Sequence, residues 1–329
     1  MITRRALVKR ALAAVGAAGL FGQARTGLAA EPPPETTRIR LSRFPFDIAC
    51  LAPLWVAEEL LRAEGFETVE YVSSKDDSDL LAKGGIDVTF RDAQGLVLGV
   101  AERQPLVGLG GMHGGCYELF GSARVRSVAE LRGRTVAVAN PGRHAFVAAM
   151  VSFVGLDPRK DVKIVLTEDA AQQFVEGKVD AVLGFPPEPQ EFRARKIGRV
   201  IVNTSTDRPW SQYFCCFATG NRDFVRKHPV AAKRALRALV KAVDICAAEP
   251  DRVVRGLIDR RFLKNYEYSL QALREIPYRR WREYDSADTI RFFALRLHEA
   301  GMIKASPQKI IADGMDWRFV NELKKELKG

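Results

Sequence analysis

The sequence predicts an α/β protein of two similar halves, each a mostly parallel sheet flanked by helices, with a helical C-terminal region. Three observations carry this. Short β-branched runs alternate with helical stretches from Ile39 to Leu183, the pattern of parallel sheets covered on both faces. Gly84-Gly85-Ile86-Asp87-Val88-Thr89-Phe90 and Gly177-Lys178-Val179-Asp180-Ala181-Val182-Leu183 share one plan: Gly, any, β-branched, Asp, small or apolar, any, apolar. After Phe217 the strands stop and helices take over.

In the first half, Ile39–Ser42 reads as a strand and Phe44-Pro45-Phe46-Asp47 as a loop. Pro53 suits the first turn of a helix that continues to Gly65. Thr68–Val72 is the second strand, followed by a short helix ending at Lys83-Gly84-Gly85. Ile86–Phe90 is the third strand, Ala93–Glu102 a helix and Pro105–Gly111 the fourth strand. In the second half, Arg134–Val138 is a strand stopped by Asn140-Pro141-Gly142, with an almost wholly apolar helix from about His144 to Val154. Gly155 suits a left-handed cap. Val162–Leu166 is a strand, Asp169 can cap the helix Ala170–Glu176, and Gly177–Leu183 is the next strand. The first strand and the repeated aspartate lie 48 residues apart in one half (39 to 87) and 44 in the other (136 to 180). Asp87 and Asp180 read as structural, satisfying nearby backbone groups. Tyr213–Phe217 is a last strand, Asn221 can cap a short helix, and Pro229 starts a long one. Breaks at Pro250, Pro277, Gly301 and Pro307 divide the remainder.

Ligands of parallel sheets bind outside the carboxyl ends of the strands. Those ends are Phe44–Pro53 in one half and Asn140–His144 in the other. At the second, free N–H groups of a helix start make an anion site, to which Arg143 and His144 add donors. GxGxxG is absent, so nothing marks a dinucleotide site.

The first thirty residues read as an export signal. Thr3-Arg4-Arg5-Ala6-Leu7-Val8-Lys9 fits the twin-arginine pattern, the apolar run Ala11–Gly22 is too short to span a membrane, and cleavage is expected after Ala29 or Ala30. This implies a folded protein exported to the periplasm. The formal net charge of +11 includes five basic and no acidic residues of that leader, leaving 46 basic against 40 acidic residues. So modest a balance, without a helix-turn-helix or aromatic–basic platform, predicts no nucleic-acid partner. Five cysteines (Cys50, Cys116, Cys215, Cys216, Cys246) without a CxxC argue against a disulfide scaffold, a cluster or a structural zinc. His113 and Cys116 have HxxC spacing, and Cys215-Cys216 could meet them. A closed site needs four ligands, however, so the expectation is a packed strand, no metal and no cofactor.

The order of export signal, strand, loop, Cys-Leu-Ala-Pro-Leu-Trp-Val-Ala-Glu-Glu (50–59), Gly-Gly-Ile-Asp-Val (84–88), Val-Ala-Glu-Leu-Arg-Gly-Arg-Thr-Val-Ala-Val (128–138) and Gly-Lys-Val-Asp-Ala-Val (177–182) resembles the solute-binding proteins of ABC importers. It resembles most the nitrate/sulfonate/taurine branch with its NMT1/THI5-like members. The resemblance implies a two-lobed periplasmic binding protein of type II-like architecture that closes on its ligand and delivers it to an inner-membrane permease. It also implies no enzymatic activity and a monomer. Residues 36–115 and 216–329 would form lobe I with the C-terminal helices, and 116–215 lobe II.

The resemblance places Ala49, Cys50, Leu51 and Pro53 on the first lobe's side of the cleft. It places Asn140, Gly142, Arg143 and His144 on the second. These residues lack the Gly-Ser-Ser loop of sulfonate binders, which argues for another ligand. His113 lies near the first hinge crossing and Tyr213–Cys216 near the second. Phe90, Arg91, Asp92, Phe185 and Pro186 end strands and are expected to face the cleft. Arg143 is the foremost candidate for a ligand contact, because a guanidinium matches a carboxylate with two donors. Phe44, Phe46, Trp210 and Tyr213 are candidate aromatic walls, and Asp47 lies in the same first loop. The ligand is expected to be a small organic anion or a flat heteroaromatic compound. Two alternatives stand beside transport: a pyrimidine-synthase-like or other cofactor-dependent enzyme, and a sensory ligand-binding protein.

Overall fold

The computed structural model describes residues 31–75 and 77–327; the twin-arginine segment lies outside the described residues. The strands are β1 (Arg38–Arg43), β2 (Thr68–Ser73), β3 (Val88–Asp92), β4 (Leu106–Gly114), β5 (Glu118–Gly121), β6 (Thr135–Val138), β7 (Lys163–Leu166), β8 (Ala181–Gly184), β9 (Arg199–Asn203) and β10 (Phe214–Asn221). They form two five-stranded sheets, ordered β2-β1-β3-β10-β4 and β7-β6-β8-β5-β9. Each sheet has one reversed strand, β10 in the first and β5 in the second, antiparallel to both of its neighbours. In each case the reversed strand enters from the other sheet, whereas the remaining strands are linked by crossovers that keep them parallel.

The repeat seen in the sequence is structural. Asp87 accepts the Arg40 N–H at 2.8 Å and Asp180 accepts the Thr135 N–H at 3.1 Å. The aspartate N–H groups return the bond to the Arg40 and Thr135 carbonyls at 2.8 and 2.9 Å. Each aspartate thus ties the strand that follows it to the first strand of its half. Gly84 and Gly177 precede them with φ of +69° and +70°, a conformation glycine adopts without Cβ strain.

The helix expected near His144 begins earlier, at Pro141, and runs to Phe153. Asn140 accepts the Arg143 N–H at 2.9 Å, and Pro141 brings the φ of a first turn. Gly142 and Arg143 therefore belong to that turn rather than to a loop. The helix expected over 53–65 is two short helices, Ala52–Val56 and Glu58–Ala63. Asp169 makes no side-chain cap and instead bonds the side chains of Thr167 and Gln173. Asn221 caps as expected, accepting the Phe224 N–H at 3.0 Å.

Nearly all core residues of both sheets join one apolar cluster, and a smaller one around Phe120, Phe174 and Phe192 lies behind the second sheet. The long C-terminal helix Pro229–Ala248 packs on Ala52–Val56 and Glu58–Ala63. Its Arg237 and Lys241 bond Glu64 at 2.7 and 3.1 Å. Helix Ser286–Glu299 packs on both Ala93–Ala101 and Pro141–Phe153, and so touches both halves.

Candidate ligand-binding site

Two segments join the sheets, one short and one of turns that includes a single helical turn at Trp210–Gln212. Residues 115–117 carry the chain from β4 to β5, and residues 204–213 return it from β9 to β10. Thr204 locks them together: its Oγ1 accepts the Tyr117 N–H at 2.9 Å, and its own N–H donates to the Tyr117 carbonyl at 2.9 Å. Ser205 Oγ donates to the Gly115 carbonyl at 2.7 Å. Gly115 is required here, because a Cβ would run into the Thr204 carbonyl.

Beside these crossings, strand ends from both sheets converge. Asp92 ends β3 and caps helix Ala93–Ala101, accepting the Gly95 N–H at 2.5 Å. Its carboxylate also faces the first turn of Pro141–Phe153, where a Cβ on Gly142 would sit 2.7 and 2.8 Å from the two oxygens. One carboxylate therefore caps one helix and lies against the first turn of another, near the end of a helix that favours negative charge. Tyr117 donates its hydroxyl to Asp92 at 3.4 Å. Nearby, the Ala49 N–H donates to the Pro186 carbonyl at 3.0 Å, a direct bond between the two halves.

Arg143 is buried, its guanidinium 3.5 Å from the centre of the Phe185 ring. Its nearest carboxylate, Glu188, is 3.8 Å away, and its buried Nε has no hydrogen-bond partner among the described residues. A guanidinium offers five donors, so this one retains capacity for a guest. Burial pushes the Asp92 carboxyl up, against the pull of the Gly95 N–H, Arg91 and Arg143. Burial likewise raises Glu188, opposed by Arg143. The site thus holds charges of both signs, all partly desolvated, beside the rings of Phe185, Tyr117 and Phe146.

A second group lies in the same region. Donor atoms of Cys50, His113 and Cys116 all fall within 4.8 Å of one another, and all three residues are buried. Cys116 Sγ lies 3.3 Å from Cys215 Sγ, which lies 3.8 Å from Cys216 Sγ. Hydrogen bonds from Cys116 and Cys216, with His113 beside them, pull the Cys50 thiol well down. Burial opposes the charging of His113, but Cys50 and the charge of Cys215 outweigh it and raise the imidazole. HxxC spacing marked His113 and Cys116, and the expected hinge brought Cys215-Cys216 near them; Cys50 joins from a distant segment that the sequence did not connect to this group.

The remaining candidates are dispersed. Phe90 is buried in β3, and Leu51 is buried beside Cys50. Phe44 and Phe46 pair at 5.7 Å in a loop held to the C-terminal region, where Lys264 bonds the Pro45 carbonyl at 3.3 Å. Burial raises the Asp47 carboxyl, against the pull of the Lys264 charge and of the nearby Lys264–Asn265 backbone. Trp210 packs among Phe146, Phe153 and Phe292, and Tyr213 stacks on Phe292 at 4.0 Å. His144 lines an outer hollow with Pro158, Arg159 and Met302, away from its neighbour Arg143. Successive helical residues point about 100° apart, so the two cannot share a face. Tyr117 and Glu188 were not among the sequence candidates; Glu188 opens the helix Glu188–Ala194 three residues after Phe185, whose N–H it accepts at 3.3 Å, and that nearness in sequence is the signal that could have found it.

A family model described as NMT1/THI5 like matches residues 61–253. The periplasmic nitrate-binding protein NrtA from Synechocystis PCC 6803 aligns with a TM-score of 0.75 at 16% identity, over 90% of this chain and 90% of that one. The alkanesulfonate-binding protein SsuA from Xanthomonas axonopodis pv. citri, bound to MOPS, aligns with a TM-score of 0.70 at 16% identity, over 88% of this chain and 100% of that one. The chain therefore has the fold of these binding proteins. Among curated sequences, the 4-amino-5-hydroxymethyl-2-methylpyrimidine phosphate synthase THI5 of Saccharomyces cerevisiae is 22% identical over 206 residues, 58% of this chain and 60% of that enzyme. The chain thus spans less than two thirds of that relative's length.

Proposed function

Because the chain belongs to the NMT1/THI5-like family, we propose that it is the substrate-binding component of an ABC-type importer. It works in the periplasm after twin-arginine export, closing its two halves on a small ligand and presenting it to an inner-membrane permease. In this reading each sheet, with its flanking helices, is the core of one lobe. The ligand is a flat heteroaromatic compound with both donors and acceptors, such as an aminopyrimidine.

The observation that carries this ligand class is Asp92. A carboxylate already sits at both helix starts, where a plain oxyanion such as nitrate would need to bind, and like charges there repel. A ring with amino or ring-nitrogen groups can instead donate to Asp92, accept from Arg143 and stack near Phe185. Opening and closure would use the paired crossings at 115–117 and 204–213, the only links described between β5 or β9 and the first sheet.

The test is calorimetric and thermal titration with 4-amino-5-hydroxymethyl-2-methylpyrimidine, nitrate, an alkanesulfonate and a dicarboxylate. The pyrimidine is expected to bind and raise the melting temperature by mass action. Arg143→Gln is expected to weaken it by about 30-fold or more. Tight nitrate or sulfonate binding with no response to the pyrimidine would reverse the ligand assignment. The match to named synthases supports a second reading, an enzyme acting on such a ring. Turnover of the pyrimidine or an absorbing cofactor in the purified chain would favour it.

A further inference from the structure

We propose that Arg193 is a latch between the two halves, fastening Glu275 of the first to Glu118 of the second, and that closing the latch takes up one proton at Glu118. The latch regulates the binding site described above. It rests on the reading that the two halves part and close, but not on the ligand's identity.

The contact joins distant segments. Helix Glu188–Ala194 follows β8 of the second sheet, and Glu118 opens β5 of the same sheet. Helix Tyr266–Glu275 belongs to the C-terminal helices and packs on Ala49–Leu51 of the first half. The two helices meet. There the Arg193 guanidinium lies 3.0 Å from Glu118 Oε1 and 2.5 Å from Glu275 Oε2. Gln190 Nε2, one turn earlier, donates to the same Glu275 oxygen at 3.0 Å. A planar guanidinium forked between two carboxylates demands a fixed geometry, so these bonds hold only while the helices touch. The same helix carries Glu188, the carboxylate nearest Arg143. Latch and ligand contact therefore share one short rigid element.

Three buried polar atoms here have no hydrogen-bond partner among the described residues: Glu118 Oε2, Gln190 Oε1 and Arg193 Nε. Protein interiors rarely keep such atoms, because each loses its hydration without return. Each regains water when the halves part. Hydration thus favours opening, and the Arg193 bonds oppose it, which is the balance a reversible closure needs.

Glu118 supplies the proton dependence. Arg193 faces it from helix Glu188–Ala194, Glu275 from helix Tyr266–Glu275, and Asp207 from the return crossing. Asn203 of β9 donates to it at 3.3 Å, and β8 sets only Gly184 opposite it. Burial pushes the Glu118 carboxyl up to about 7; Arg193 opposes this, and the charges of Glu275 and Asp207 add to it. Burial also disfavours charge on Glu275, but bonds from Arg193, Gln190 and Gln271 outweigh it and hold that carboxyl low. Two carboxylates on one cation leave an excess negative charge, which a proton on Glu118 removes. Opening withdraws Glu275 and admits water, so Glu118 returns toward its ordinary value of about 4.3. The closed form therefore holds the proton more tightly. Closure strengthens as pH falls from 8 through 7, and the gain levels off near the open-form value.

The test measures pyrimidine affinity, and the small-angle scattering radius without ligand, at pH 8 and pH 6. Wild-type affinity is expected to rise about 10-fold from pH 8 to pH 6. Glu118→Gln is expected to bind more tightly than wild type at pH 8, and that advantage to shrink about 10-fold by pH 6. Titrations common to both proteins, of the ring or of Asp92, cancel in this ratio. Glu275→Lys, at a side chain 36% exposed, sets two cations face to face without leaving a buried gap. It is expected to weaken binding about 10-fold or more at both pH values. Without ligand, the wild-type radius is expected to shrink from pH 8 to pH 6, that of Glu118→Gln to stay constant, and that of Glu275→Lys to exceed both. If the pyrimidine binds, the affinities decide, and an advantage of Glu118→Gln that is constant in pH overturns the latch. If it does not bind, the ligand assignment fails and the radii decide, and radii indifferent to pH and to Glu275→Lys overturn the latch.

Discussion

Gly142→Ala tests the proposed closing of the two halves directly. The added methyl would stand 2.7 and 2.8 Å from the Asp92 oxygens, whereas ordinary contact begins near 3.4 Å. The shortfall of about 0.7 Å cannot be absorbed by a swing of Asp92, because that carboxylate is pinned by Gly95 at 2.5 Å and by Tyr117 at 3.4 Å. The halves must therefore separate slightly, or Asp92 must give up its cap. Overpacking of this kind costs about 1–3 kcal/mol. In the proposed open form the halves part and this cost is absent, while Gly142 lies in a helix where alanine is preferred by up to about 1 kcal/mol. The affinity for the pyrimidine is thus expected to fall by about 5- to 150-fold, with the unfolding free energy of the open protein unchanged or slightly raised. Titration calorimetry reads the first and urea denaturation the second, while small-angle scattering should show a larger radius in excess ligand. Undiminished affinity with wild-type compaction would refute the claim that Asp92 and Gly142 meet when the protein closes.

Other perturbations have equally definite outcomes. Asp92→Asn keeps a capping oxygen but removes a charge that burial disfavours. An acid with a raised folded pKa stabilises the fold in its neutral form, an advantage present below its unfolded value of about 3.9 and lost as pH rises through the folded value. The variant should therefore melt higher than wild type at pH 7, with the difference vanishing toward pH 3; a lower melting temperature at pH 7 would contradict this. Glu64→Gln leaves Arg237 and Lys241 short of a buried partner and should cost about 3 kcal/mol in urea denaturation. A loss below 1 kcal/mol would show that Glu326, which also pairs with Arg237, is sufficient. Gly115→Ala should cost about 3 kcal/mol or more by forcing the two crossings apart, and a normal melting curve would show that the crossings can shift freely.

Much of this molecule was legible in its sequence because the signals were local. Alternating apolar runs, glycines at left-handed positions and the repeated aspartates depend on residues near one another or on a periodicity of the chain. Asp87 and Asp180 even revealed their structural role, since a carboxylate beside a buried strand needs backbone donors. Asn140 and Pro141 also carried the true start of the helix, as a capping side chain and a proline of the first turn.

What remained hidden depended on distance along the chain. Strand β5 has four residues and becomes a strand only by pairing with β8 and β9. That Arg143 is buried against Phe185 while His144 faces an outer hollow follows from which side of one helix meets the other half. The sulfurs of Cys50 and Cys215 share a neighbour in Cys116 only because two sheets are joined at adjacent crossings. Local chemistry alone determined the elements and their repeat. Long-range closure, set by how the apolar faces pack, decided which side chains share a site.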